Sequence, residues 1–168
     1  SNSFDAEDLY QETWLLAVKN LSHYDPERPF HFKRVDSFYS APGQAFTPYP
    51  AGLIDVVQYV SERYHNIDIY ITENGCALPN LHDEEKDCDD EARITYLREH
   101  LRNCARLIHA GYTNLKGYYY WNDADSYENL RGYELRFGLT WVDHDTGRRR
   151  WKKSRYYFSE ICKTKLVN

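Results

Sequence analysis

Along this 168-residue chain the apolar positions switch repeatedly between helical and strand spacing. Tyr10, Trp14, Val18 and Leu21 share one stripe behind an acidic first turn of Asp5, Glu7 and Asp8, which predicts a helix over about 5–21 that Asp25-Pro26 stops. Residues 34–40 read as a short strand and 41–49 as a loop rich in Pro and Gly. Pro50 suits the first turn of a second helix, whose apolar face is Leu53, Val56, Val57, Val60 and Tyr64. Residues 67–72 form a buried strand that runs into Glu73-Asn74-Gly75. The acids Asp83, Glu84, Glu85, Asp87, Asp89 and Asp90 then predict an exposed, mobile loop over 77–90. Ile94, Leu97, Leu101, Cys104, Leu107 and Ile108 give a strong helix over about 90–110, with Gly111 as its cap. Residues 115–121 are nearly all apolar or aromatic, as in a strand covered on both faces. Residues 137–142 and a return after His144-Asp145-Thr146-Gly147 predict a small hairpin, and Ser154 is the expected N-cap of a last helix to about Lys163.

From residue 34 this order is strand–helix, three times over, which predicts an α/β fold with a parallel sheet and helices outside it. Three βα units do not close a barrel, which takes about eight strands, and alone they leave a sheet face and two edges open. The expectation is an open sandwich or a piece that completes a barrel with another chain. Glu73 then stands at the C-terminal mouth of a parallel strand, where α/β barrels place their chemistry. A carboxylate there can act as a nucleophile, and Gly75 lets the backbone turn sharply behind it.

Composition narrows the partners. Sixteen Tyr, 4 Trp and 7 Phe suit an aromatic core and equally a site that stacks on sugar rings. A net charge of -5 gives no electrostatic basis for a nucleic-acid or anionic-membrane partner. No apolar run approaches the ~20 residues of a membrane span, and no signal peptide is visible, so a cytoplasmic protein is expected. The chain contains no Met, and Ser1-Asn2 reads as the stub of a removed tag or the start of a fragment. Cys76, Cys88, Cys104 and Cys162 match no zinc spacing; Cys76 and Cys88 bracket one loop and can pair, but four free thiols are the expectation. The histidines show no ligand spacing, with His100 and His109 as ordinary polar helix positions, and the acidic loop lacks a calcium-loop pattern, so no metal or cofactor is expected. Arg148-Arg149-Arg150 and Lys152-Lys153 read as a solvated turn rather than a phosphate or nucleic-acid site.

Four stretches between about Val35 and Lys165 point to a family. Tyr49-Pro50-Ala51-Gly52-Leu53, Ile69-Tyr70-Ile71-Thr72-Glu73-Asn74-Gly75, Gly117-Tyr118-Tyr119-Tyr120-Trp121, and Arg136-Phe137-Gly138-Leu139 with Val142-Asp143 and Lys153-Ser154 resemble, in order, the C-terminal part of family 1 glycoside hydrolases, the β-glucosidase family. The resemblance implies a partial (β/α)8 barrel holding strands six, seven and eight, and a retaining mechanism. By resemblance, Glu73 is the nucleophile. Glu128, with Asn129 beside it, matches the glutamate that binds sugar hydroxyls, Trp121 matches the tryptophan that stacks below the ring, and Tyr39 matches the tyrosine that holds the nucleophile. The chain departs from the family's pattern at three places. It has no Asn-Glu-Pro, the setting of the acid/base glutamate; the family's Phe-Glu-Trp reads Tyr127-Glu128-Asn129; and Trp-Ser-x-x-Asp-Asn reads Trp121-Asn122-Asp123-Ala124-Asp125-Ser126.

Residues 5–15 and 24–30 also resemble region two of bacterial sigma factors, an acidic helix that docks on core RNA polymerase. Together these readings divide the chain into an added N-terminal helical segment, 1–33, and a glycosidase-like half-barrel, 34–168. The expected function is a β-glycosidase part that carries the nucleophile, acts on a β-linked sugar and is inactive until a second chain brings the acid/base glutamate. The alternative is a non-catalytic chimeric or designed scaffold, or an RNA-polymerase-binding module.

Overall fold

The computed structural model describes residues 49–129 and 131–167. The segment 1–33, the strand expected over 34–40 with Tyr39, and most of the loop that follows lie outside these residues.

Pro50 sits in the turn that opens helix α1 (Gly52–Arg63), where the amides of Gly52, Leu53 and Ile54 bond back to Tyr49, Pro50 and Ala51. Helix α1 buries Val57 and Ser61, with Leu53 and Ile54 partly covered, whereas Val56 and Tyr64, expected on the apolar face, are exposed. Strand β1 (Ile69–Asn74) follows, and it includes Glu73 and Asn74 rather than stopping before them.

The acidic stretch is not the open loop its charge predicts. It forms strand β2 (Leu78–Pro79) and the short helix α2 (Glu84–Cys88), and it buries Asp87 and Asp90. The reason is that these acids find partners, both near and distant in sequence. Asp87 pairs with Arg136 at 3.1 Å and Asp90 with Arg93 at 2.8 Å, while Asp83 accepts the amides of Glu85 and Lys86 as N-cap of α2.

Helix α3 (Glu91–His109) packs Leu97, Leu101, Cys104 and Leu107 inward, but Ile108 faces out. Gly111 follows with φ +100°, as a glycine after a helix end can. Strand β3 (Leu115–Tyr120) returns parallel to β1, pairing Ile69 with Leu115, Ile71 with Tyr118 and Asn74 with Tyr120. The expectation of two covered faces is not met: Leu115 is buried and Tyr118 and Tyr120 pack toward helices, but Lys116 and Tyr119 are exposed.

Strand β4 (Leu135–Arg136) pairs antiparallel with β2, and strands β5 (Thr140–Val142) and β6 (Arg149–Trp151) form the expected hairpin. Helix α4 (Lys153–Thr164) closes the described chain. Lys152, not Ser154, holds the N-cap position; Ser154 is fully buried and its hydroxyl donates to Asp90 at 2.6 Å. Val57, Cys104, Leu107 and Leu115 form one core cluster between α1, α3 and β3, and Leu97, Leu101 and Leu139 another. Tyr118 borders both. The order β1–α3–β3–α4 thus contains two of the three expected βα units.

Candidate active site

Parallel pairing brings the ends of β1 and β3 side by side. Glu73, next to last in β1, is exposed, and no hydrogen bond or ion pair engages its carboxylate among the described residues. Trp121 follows β3 directly and keeps 40% of its surface exposed. The two ends are tied together: the Trp121 amide donates to the Asn74 carbonyl at 3.1 Å. The Asn74 side chain is fixed as well, because its Oδ1 accepts the hydroxyls of Tyr118 at 2.6 Å and Tyr96 at 3.1 Å. Burial pushes both phenols well above their ordinary pKa, so they remain neutral donors. Gly75 has no room for a side chain, since a Cβ there would lie 1.8 Å from the Trp121 carbonyl oxygen.

Glu128 sits in the loop after Trp121. Its amide donates to the Gly132 carbonyl at 2.9 Å and its carbonyl accepts from the Gly132 amide, a closure that Gly132 permits with φ +56°. The carboxyl is half-buried. Desolvation raises its pKa, opposed by a hydrogen bond from Ser126. Ser126 in turn accepts from Asn122 Nδ2 at 2.8 Å, so a short polar chain runs from the residue after Trp121 to Glu128. Asn129 is exposed beside it.

Asp125 anchors this loop from beneath. Its Oδ1 accepts Lys152 Nζ at 2.7 Å and the Gly138 amide at 3.0 Å, and its Oδ2 accepts Arg136 at 2.7 Å. Lys152 is therefore a buried partner and not part of a solvated basic turn; burial, then the neighbouring Arg93 charge, pushes its pKa down to about 8 against the pull of Asp125. Arg148 and Arg150 are exposed but paired with Glu84 and Glu85. His100, read as an ordinary polar position, is buried and stacked on Tyr96 at 3.9 Å between ring centroids.

Sequence reasoning missed the supporting roles of Asn74, Asp125, Lys152, Tyr96 and Tyr118. The sequence around Lys152 carried no signal of burial, because its neighbours Arg149–Trp151 and Lys153 are exposed. The four cysteines are unpaired; Cys76, Cys88 and Cys104 are buried, and burial moves the Cys104 thiol up to about 11. Among the described residues no group of acids, cysteines and histidines is arranged to hold a metal ion, and no helix is long and apolar enough to cross a membrane.

Residues 9–167 match the model of glycosyl hydrolase family 1. The chain is 33% identical over 163 residues to 1,4-beta-D-glucan glucohydrolase of Thermotoga neapolitana, covering 95% of this chain and 36% of that protein. It is 43% identical over 121 residues to 6-phospho-beta-galactosidase of Staphylococcus haemolyticus, covering 71% of this chain and 26% of the relative. The solved family 1 beta-glucosidase of Thermotoga maritima in complex with isofagomine lactam superposes with a TM-score of 0.71 at 32% identity, over 80% of this chain and 30% of the other. The chain belongs to glycosyl hydrolase family 1, and its βα units are part of that family's (β/α)8 barrel. It spans about a third or less of the length of these relatives. The family match begins at residue 9 and so includes most of the segment that resembles a sigma factor.

Proposed function

We propose that this chain carries the nucleophile side of a retaining β-glycosidase site. The observation that carries the reading is the joining of two parallel strand ends, where exposed Glu73 directly precedes Asn74 and the Asn74 carbonyl accepts the Trp121 amide. Glu73 attacks the anomeric carbon while the bond to the leaving oxygen breaks, and a second glutamate protonates that oxygen and later activates water. Trp121 supplies the apolar platform under the ring, Glu128 and Asn129 take sugar hydroxyls, and Tyr39 holds Glu73. The acid/base glutamate comes from a complementary part of the barrel, on a second chain where this one stands alone, because an identical copy has no Asn-Glu-Pro to offer.

Glu128 also bears on which sugar fits. A half-buried carboxylate repels a phosphate, so the reading favours a neutral β-glycoside over the phosphorylated sugar in the name of one relative.

The test is intact mass after incubation with a fluoro-sugar bearing a good leaving group. The leaving group of such a probe departs as a stable anion without acid help, so Glu73 can form its glycosyl ester without the partner glutamate. An adduct in the wild-type chain that is lost in Glu73→Gln supports the reading. No adduct in the folded protein, alone and with a complementary N-terminal barrel fragment, removes it.

A further inference from the structure

Arg93 stands at the first turn of α3, on the apolar stripe it shares with Leu97, Leu101 and Cys104, and it is fully buried. Its guanidinium donates to five acceptors. Nε reaches Asp90 Oδ2 at 2.8 Å, and Nη1 reaches the Cys76 carbonyl at 2.7 Å and both the Tyr120 hydroxyl and the Phe137 carbonyl at 2.8 Å. Nη2 reaches the Arg136 carbonyl at 2.8 Å. Asp90 completes the arrangement by accepting the Ser154 amide and hydroxyl, which brings in the start of α4.

The positions of these acceptors are what matter. Cys76 lies just behind Glu73 on the loop leaving β1. Tyr120 directly precedes Trp121. Arg136 and Phe137 close the loop that starts at Trp121 and carries Glu128. We infer that Arg93 is a positioning residue for the sugar site, one planar fork that sets the loops bearing Glu73, Trp121 and Glu128 against one another; this rests on the roles proposed above for those three residues. Stability alone does not call for such a group, because a buried ion pair is often replaceable by apolar residues without loss. A fork of five donors aimed at several loops offers geometry that no apolar side chain and no lysine reproduces.

The experiment compares the full chain with its Arg93→Lys and Arg93→Met variants by residue-resolved amide exchange and by the rate of Glu73 labelling with the fluoro-sugar. Losing charge-assisted bonds at one hub should speed exchange at the Trp121 and Leu139 amides about tenfold or more in both variants, while amides of α1 keep their protection. Labelling per folded molecule should fall about tenfold in parallel, and Arg93→Lys, which keeps the charge, should not rescue it. Unchanged exchange at Trp121 and Leu139, or equal acceleration throughout α1, β1 and β3, overturns the proposal, as does labelling at the wild-type rate in a folded variant. Should the wild-type chain give no adduct either alone or with the complementary barrel fragment, the assignment of Glu73 fails. The exchange pattern then decides by itself whether Arg93 fixes these loops. Were Arg93→Met not to fold, Arg93→Lys alone supplies both readouts.

Discussion

The carbonyl of Asn74 accepts the amide of Trp121 at 3.1 Å, one residue beyond Glu73 on one side and at the proposed sugar platform on the other. This single bond places the proposed nucleophile and platform in fixed register, and it does so where Gly75 leaves no gap between the two chains.

Gly75→Ala is the sharpest test of that closeness. The added carbon would lie 1.8 Å from the Trp121 carbonyl oxygen, a backbone atom that moves only with the strand end. A cost of at least about 3 kcal/mol in denaturant unfolding is expected. Gly117→Ala is the comparison. There the new carbon meets the Tyr70 ring at 2.8 Å, and Tyr70 is half exposed and free to swing, so about 1 kcal/mol is expected. Equal costs at the two positions would show that the β1 and β3 ends are not locked together.

The residues at 122 and 126 exchange the types that the family places there: Asn122 and Ser126 stand where the resemblance has Ser and Asn. Their contact, Nδ2 to Oγ at 2.8 Å, still joins an amide to a hydroxyl. Asn122→Ser leaves two short hydroxyls facing each other, and Ser126→Asn crowds two amides, so each single change should cost about 1 kcal/mol. The double variant should recover most of it, with a coupling of about 1 kcal/mol in a double-mutant cycle. Additive losses would mean that the contact does not hold the loop. Because the Ser126 hydroxyl also lowers the Glu128 pKa, Ser126→Ala should raise that pKa further, read by NMR of the side-chain carboxyl.

Local pattern made the helices and the parallel strand pair legible, since 3.6-residue stripes and apolar strand runs depend only on neighbours in sequence. The places of Glu73 and Trp121 at neighbouring strand ends were legible as well, because each follows from the end of an apolar run. What failed were positions decided by distant partners. The acids of 77–90 read as solvent-exposed, yet Asp87 meets Arg136 and Asp90 meets Ser154. Lys152 read as part of a basic turn, yet Asp125 draws it fully inside. A charge is written the same way in sequence whether it faces water or a counter-charge, and only the fold distinguishes them.

His100 gives an acid-side prediction. Its ring is buried, stacked on Tyr96, and donates from Nδ1 to the Tyr96 carbonyl at 2.8 Å. Burial holds its pKa below the ordinary 6.5. Below about pH 6.5 the unfolded chain takes up a proton that the folded chain refuses, so stability falls as pH drops through that region. His100→Gln should flatten this slope in denaturant midpoints measured between pH 7 and pH 5. An unchanged slope would place the ring in contact with water.

Lys152 gives a prediction of the same sign on the alkaline side. Its ammonium is buried against Asp125 Oδ1 at 2.7 Å, with Arg93 and Asp90 also acting on it. Burial is the largest influence and lowers its pKa from 10.5 to about 8. Between these values the unfolded chain binds a proton that the folded chain has released. The sign is therefore that Lys152 penalises folding fully below about pH 8, and the penalty lifts as pH rises toward 10.5. Lys152→Met removes this titration. The stability of the wild type relative to Lys152→Met should rise across that window by up to about 1.4 kcal/mol per pH unit. Taking the difference between the two proteins cancels the exposed tyrosines and surface lysines that titrate in the same range. A flat difference would mean that Asp125 keeps Lys152 charged throughout, and the loop under Glu128 would then rest on a permanent ion pair instead of one that alkali dissolves.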